Sequence, residues 1–218
     1  MGDISKITPK PLVKVAGRPL LEYKLREYKS QGFNSYVFCT GYMGNKMKAG
    51  INKLGYDGIF SNIGNDAGIL DRIYSVRKYI NDSTIISYGD TYGQINFKEL
   101  VSSHKNSESL MTIVISSIKH PFGLVNFDSN SKVISFEEKP ILSHYIGYAV
   151  IEPNIFDIIP KNFLGQSDGD GLVKSIKYLI NLNLVSTYKF GGLQVTINTN
   201  SDLKTASEKI GNYYTLID

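Results

Sequence analysis

Apolar positions in this chain alternate between helical stripes and short β-type runs. Leu20, Leu21, Leu25 and Tyr28 recur near helical spacing, with Pro19 suited to a first turn and Gly32 to a stop, so a helix is expected there. Tyr36-Val37-Phe38-Cys39 then reads as a short strand ending at Thr40-Gly41. A helix over 45–54 stopping at Gly55, a strand at Ile59-Phe60 and a helix over 69–80 come next. Thr84-Ile85-Ile86-Ser87-Tyr88 reads as a buried strand whose carboxyl end delivers Gly89-Asp90. Beyond it the pattern predicts a helix over 97–104 and a strand over 111–116, then strands at 124–127 and 133–136 about a turn at Asn130-Ser131, and a strand over 148–151. The Gly165 to Gly171 stretch reads as a mobile, solvated loop before a helix over 172–182; its acidic residues lack the spacing and terminal Glu of a calcium loop.

Repeated β-α-β units of this kind predict an α/β fold with a mostly parallel sheet covered by helices on both faces. Ligands of such sheets bind beyond the carboxyl ends of the strands. No repeat or linker interrupts the pattern, and 218 residues suffice for one sizeable core, so residues 1–218 are read as a single domain.

Composition narrows the function classes. Hydrophobic residues make up 42% and charged residues 20%, and the net charge of +4 is mild and scattered, which argues against a nucleic-acid partner and is compatible with a phosphate-rich small substrate. Cys39 is the one cysteine, so an intramolecular disulfide or a cysteine metal cluster within one chain is excluded. With no signal peptide visible, a reducing cytoplasm is expected. No apolar run approaches the ~20 residues of a membrane span, so no membrane partner is expected.

Three places carry candidate chemistry. Asp90 stands at a strand end beside Gly89, where a phosphate and its cation can approach; taken alone, such an Asp more often caps a turn. Lys10 is held between Pro9 and Pro11, which fix φ on either side and bias Pro9 and Lys10 toward extended geometry, aiming the ammonium, although Pro-Lys-Pro alone is commonly a solvated turn. Lys139, in Phe136-Glu137-Glu138-Lys139-Pro140, is fixed by a following proline, again a weak signal by itself.

Taken together, in this order and spacing, these segments resemble the sugar-1-phosphate nucleotidyltransferases over nearly the whole chain. Thr8-Pro9-Lys10-Pro11-Leu12 resembles the segment that follows the family's phosphate-binding loop, and Asp66-Ala67-Gly68-Ile69 its nucleotide segment. Tyr88-Gly89-Asp90 resembles its metal-binding strand end, Phe122-Gly123 the start of its sugar-side hairpin, and Ile146-Gly147 the lead into a following strand. The stretches from Gly32 to Gly44 and His120-Pro121-Phe122-Gly123 look most like the glucose-1-phosphate cytidylyltransferase branch, while the base stays open among CTP, dTTP, GTP and UTP. The resemblance implies a Rossmann-like three-layer α/β/α fold with a sugar-side hairpin, and attack of a sugar 1-phosphate oxygen on the α-phosphorus of a nucleoside triphosphate with release of pyrophosphate. It also implies that Asp90 holds Mg²⁺, Lys10 supports the phosphates, Asp66, Gly68 and Gly89 line the nucleotide, and Gly123, Glu138, Lys139 and Gly147 bind the sugar phosphate.

Two departures accompany it. The family's second metal-binding Asp falls at Thr196 when Thr199 and Asp202-Leu203 are aligned, and a neutral hydroxyl is a poorer Mg²⁺ ligand. The family's N-terminal strand and Gly-rich loop have no counterpart before Lys10, from which we expect an incomplete central sheet, Met1 standing inside a longer reading frame, and slower turnover than that of an extended form. An exposed sheet edge leaves pairing with another chain, including a homo-oligomer, open. The alternatives are a non-catalytic nucleotide-sugar-binding or regulatory protein on the same fold and, less favoured because of the Glu-Lys-Pro hairpin, a phosphocholine-type cytidylyltransferase.

Overall fold

The computed structural model describes residues 7–215. Lys14–Val15 (β1) and Arg18–Pro19 (β2) form a small antiparallel pair that leads into helix Leu20–Ser30 (α1). Strand Val37–Thr40 (β3), helix Gly44–Lys53 (α2) and strand Ile59–Asn62 (β4) make a β-α-β unit whose two strands pair in parallel. Helix Ile69–Ser75 (α3) precedes strand Thr84–Ser87 (β5), the short strand Thr91–Gly93 (β6) and helix Phe97–Lys105 (α4). Then come strand Met111–Lys119 (β7), the hairpin Leu124–Phe127 (β8) and Val133–Glu137 (β9), and the long strand Ile141–Ile151 (β10). The chain closes through helix Ile155–Ile158 (α5), helix Asp170–Asn181 (α6), strands Val185–Lys189 (β11) and Gln194–Thr196 (β12), and helix Asn200–Thr215 (α7).

The α/β architecture agrees with the sequence pattern, but the sheet is more mixed than a run of β-α-β units predicts. The largest sheet has the order β11-β7-β10-β5, and only β11 and β7 are parallel; β10 runs antiparallel to both neighbours. The cause is the β8–β9 hairpin: a strand that leaves β7 and returns through a hairpin comes back along it in the opposite direction. β10 is also longer than the apolar run at 148–151, because its first half continues the ladder with β7 through polar Ser143 and His144. Between Tyr145 and Ala149 the register shifts, and Gly147 sits there at φ +79, a conformation that favours glycine.

Among the described residues β3–β4 and the four-stranded sheet are separate, with β3 and β5 both at edges, which matches the incomplete sheet expected from the sequence. Helices bind the two parts together from opposite faces. Leu21 and Leu25 of α1 pack with Phe38 of β3, while Tyr28 of the same helix packs into the cluster containing Ile85 of β5. On the other face Arg72 of α3 donates to the Thr40 carbonyl, and Ile73 and Tyr74 pack in the cluster that holds Ile86.

Two further expectations change. The helix over 69–80 stops at Ser75 and tightens into a 3₁₀ turn over Arg77–Tyr79, which leads Ile80 into the core. The 165–171 segment is docked on α3: Asp71 accepts from the Gly165 amide at 2.9 Å, and the Asp168 carbonyl accepts from Ile69 at 2.7 Å. Helix α6 accordingly begins at Asp170, two residues early.

Among the described residues one ammonium is buried in the core. Lys24 of α1 is 3% exposed, donates to the Tyr88 carbonyl and lies 4.8 Å from the centroid of the Tyr148 ring. Burial lowers its pKa from 10.5 to about 7, with the Asp90 carboxylate acting in the opposite sense. Between those two pKa values the unfolded chain holds a proton that the folded chain has released, so stability rises with pH. Unfolding by urea should therefore show a gain of roughly 2 kcal/mol from pH 7 to pH 9. Lys24→Met should flatten that rise; identical pH profiles for the two proteins would contradict it.

Candidate functional site

The carboxyl end of β5 is built by backbone contacts from three directions. The Tyr88 amide donates to the Gly147 carbonyl at 2.9 Å, and the Ile197 amide donates to the Asp90 carbonyl at 3.0 Å. On the third side the Lys24 ammonium holds the Tyr88 carbonyl. Two glycines are required by close approach. A side chain on Gly147 would meet the Tyr88 ring at 2.8 Å, and one on Gly89 would meet Pro11 at 2.7 Å. Gly89 thus lets the proline-flanked segment lie directly on the strand end.

Lys10 and Asp90, distant in sequence, meet there. The Lys10 ammonium stands 3.6 Å from the Asp90 carboxylate and donates to the Asn198 Oδ1 at 3.3 Å. Both partners of the ion pair remain partly open, with side-chain exposures of 41% and 27%, so incoming phosphate oxygens can compete for the ammonium. Thr196 lies across from this point: β12 pairs with β6, Thr196 is opposite Thr91, and their hydroxyls are 3.1 Å apart. Thr196 thus stands across the ladder from the residue that follows Asp90, its hydroxyl against that of Thr91.

Asp202 serves another purpose. Its carboxylate accepts from the Asn198 and Thr199 amides at 2.9 and 2.8 Å, capping the entry to α7, and these amide bonds hold its carboxyl below the usual carboxylate range. The cap fixes the turn that presents Asn198 to Lys10.

The remaining predicted residues fall into two groups. Gly68 is buried at the start of α3, where added atoms would strike the Gln166 carbonyl at 2.2 Å, and its amide donates to Asp71 at 3.1 Å. Close packing against the 165–171 segment is therefore sufficient reason for that glycine, and Asp66 is exposed on the turn before it. Gly123 lies under the Phe136 ring, 2.6 Å from where a side chain would begin. Glu138 and Lys139 pair with each other at 3.7 Å on the exposed limb after β9, and Lys139 adopts φ +47. No hydrogen bond or ion pair among the described residues joins this limb to Lys10 or Asp90.

Sequence reasoning missed Lys24 and Asn198. A lysine inside a helical stripe reads as a solvated charge, and only the fold shows it beneath the strand end. Asn198 is visible as part of the segment before α7, but its contact with Lys10 depends on pairing between β6 and β12. No group of three or more His, Cys, Asp or Glu side chains among the described residues could hold a metal ion by itself. The strand end offers the single carboxylate of Asp90, which fits Mg²⁺ only where phosphate oxygens and waters complete the shell.

Comparison with known proteins bears on this arrangement. A probable glucose-1-phosphate cytidylyltransferase of Bacillus subtilis (strain 168) is 26% identical over an alignment that covers 93% of this chain and 88% of its own length. The mannose-1-phosphate guanylyltransferase catalytic subunit beta of Drosophila melanogaster is 30% identical over 70% of this chain and 45% of its own. The chain thus spans nearly all of the first relative and about half of the second. Among solved structures, the UTP-bound UGPase from Acinetobacter baumannii superposes with a TM-score of 0.67 at 17% identity, covering 98% of this chain and 92% of that one. HddC from Yersinia pseudotuberculosis superposes with a TM-score of 0.69 at 21% identity, covering 93% and 90%. These likenesses establish the fold, and the family model for nucleotidyl transferases matches residues 1–171. The chain belongs to the nucleotidyl transferase family.

Proposed function

We propose that the protein transfers a nucleotidyl group from a nucleoside triphosphate to a sugar 1-phosphate, forming a nucleotide-sugar and pyrophosphate. The observation that carries this reading is the meeting of Lys10 and Asp90 at the end of β5, 3.6 Å apart and partly open. In-line phosphoryl chemistry needs positioning and charge neutralisation more than a covalent intermediate, and this pair offers a cation for phosphate oxygens and an anion for a metal. Asp90 would hold Mg²⁺ together with substrate oxygens, and the ion would neutralise charge developing on the triphosphate. Lys10, kept in place by Asn198, binds the phosphates, while Lys139 and Glu138 on the hairpin limb engage the sugar phosphate. The relatives' names span cytidylyl, uridylyl and guanylyl transfer, so a pyrophosphate-release assay over four triphosphates and several sugar 1-phosphates reads out base and sugar. Cys39, a free and exposed thiol, suits the reducing cytoplasm we assign to it.

The second reading, a nucleotide-sugar-binding protein without turnover, draws on the Thr91 and Thr196 hydroxyls standing in place of a second carboxylate. Binding without pyrophosphate release in the full substrate matrix would favour it over catalysis.

Asp90→Ala should lower kcat on the order of 100-fold to 1000-fold, as removal of a charge-stabilising group typically does, and retained turnover would refute the assignment. Lys139→Ala should instead raise the KM for sugar phosphate by roughly 10-fold or more, the worth of a charged hydrogen bond; an equal change in the KM for triphosphate would contradict its role. Thr196→Asp puts a carboxylate opposite Thr91, the residue that follows Asp90, and should shift Mg²⁺ half-saturation to lower concentration in a metal titration. An unchanged midpoint would show that position 196 does not face the ion.

A further inference from the structure

The β8–β9 hairpin presents one apolar and one polar face. Its register pairs Val125 with Phe136 and Phe127 with Val133, which puts these four side chains together, while Asn126 pairs with Ser135 through a 2.8 Å hydrogen bond on the opposite face. All four apolar residues are open to solvent: Val125 46%, Phe127 67%, Val133 64% and Phe136 63% exposed. Ile134, the residue at the register shift, is exposed as well. A two-stranded hairpin alone is marginal in water and is ordinarily supported by a third layer. Here no other element of the described residues makes more than glancing contact with it.

We infer that this face is a two-fold contact between two copies of the chain, hairpin against hairpin, each supplying the layer the other lacks. The area argues for it. Two phenylalanines and two valines at these exposures offer roughly 400 Å² of apolar surface. That approaches the apolar share, about 60%, of a standard interface of about 800 Å² per partner. The charge argues for self-pairing over a charged partner. Asp128 and Lys132 flank the turn, and Glu138 and Lys139 stand at the base, so each end carries both signs and a two-fold pairing meets no uniform repulsion. Because Glu138 and Lys139 follow β9 directly, the contact also ties down the limb that carries them.

Sedimentation velocity from low to high micromolar protein tests the contact, with Phe127→Glu and Val133→Glu on the apolar face and Asn126→Asp on the polar face as control. The exposed positions leave folding intact, which far-UV circular dichroism checks. The wild type and Asn126→Asp should be dimeric, while a buried unpaired carboxylate should weaken the dimer on the order of 100-fold in Kd. A wild type that stays monomeric at high micromolar concentration overturns the inference, and so does a dimer that both face variants leave unchanged. A Cys39→Ser background carrying Phe127→Cys provides an independent readout: oxidation should link two copies through that position, and failure to cross-link while the protein remains dimeric would place the contact on another face.

Discussion

Everything proposed for this molecule depends on how the backbone at 88–91 is held. A strand end with a free carbonyl and an unsupported acid would be an ordinary turn. Here Tyr88 is bonded to Gly147 and Lys24, the Asp90 carbonyl receives the Ile197 amide, and Thr91 pairs with Thr196. The Asp90 side chain is therefore aimed by three separate segments that contribute no carboxylate of their own. Two glycines make the clamp possible: Gly147 passes the Tyr88 ring, and Gly89 admits Pro11. The approach of Pro11 then brings Lys10 to the carboxylate.

The site divides into a well-anchored half and a lightly anchored half. Lys10, Asp90, Asn198 and Thr196 are tied together and to the main body by the Ile197–Asp90 backbone bond, ladder pairing of β12 with β6 and side-chain contacts. Glu138 and Lys139 ride on a hairpin whose apolar face is open in the single chain. In the function we propose, the triphosphate and the sugar phosphate bind to elements that differ in how closely they pack on the main body. A contact that orders the hairpin would act on the second substrate with little effect on the first.

Much of this was legible in the sequence, for physical reasons that differ by element. The strand at 84–87 announced itself as an apolar run, but it lies at the sheet edge with Ile85 and Ile86 only half-buried, where a buried strand was expected. The prolines around Lys10 and after Lys139 misled as to geometry: Lys10 opens a 3₁₀ turn over Lys10–Leu12, and Lys139 takes φ +47, where extended backbone was expected. The direction of β10 was not legible, since strand orientation follows from the hairpin connection and leaves no mark on apolar periodicity. Strand β12 has three residues, too few for a period to show. The 165–171 segment looked loose by composition, yet Gly171 packs closely on Phe163 and Leu70 and the Gly165 amide donates to Asp71. Lys24 was silent because a helical lysine gives no sign of burial until a strand end is packed over it.

In our proposal the Lys10 and Asp90 strand end directs attack at the α-phosphorus of a nucleoside triphosphate. Tracing isotopic label tests this most directly, by incubating the protein with Mg²⁺, a sugar 1-phosphate and the triphosphate labelled at either the α or the γ position. The account predicts that α label appears in a nucleotide-sugar and γ label in pyrophosphate. Release of γ label as inorganic phosphate, with α label remaining in a nucleoside diphosphate, would contradict it.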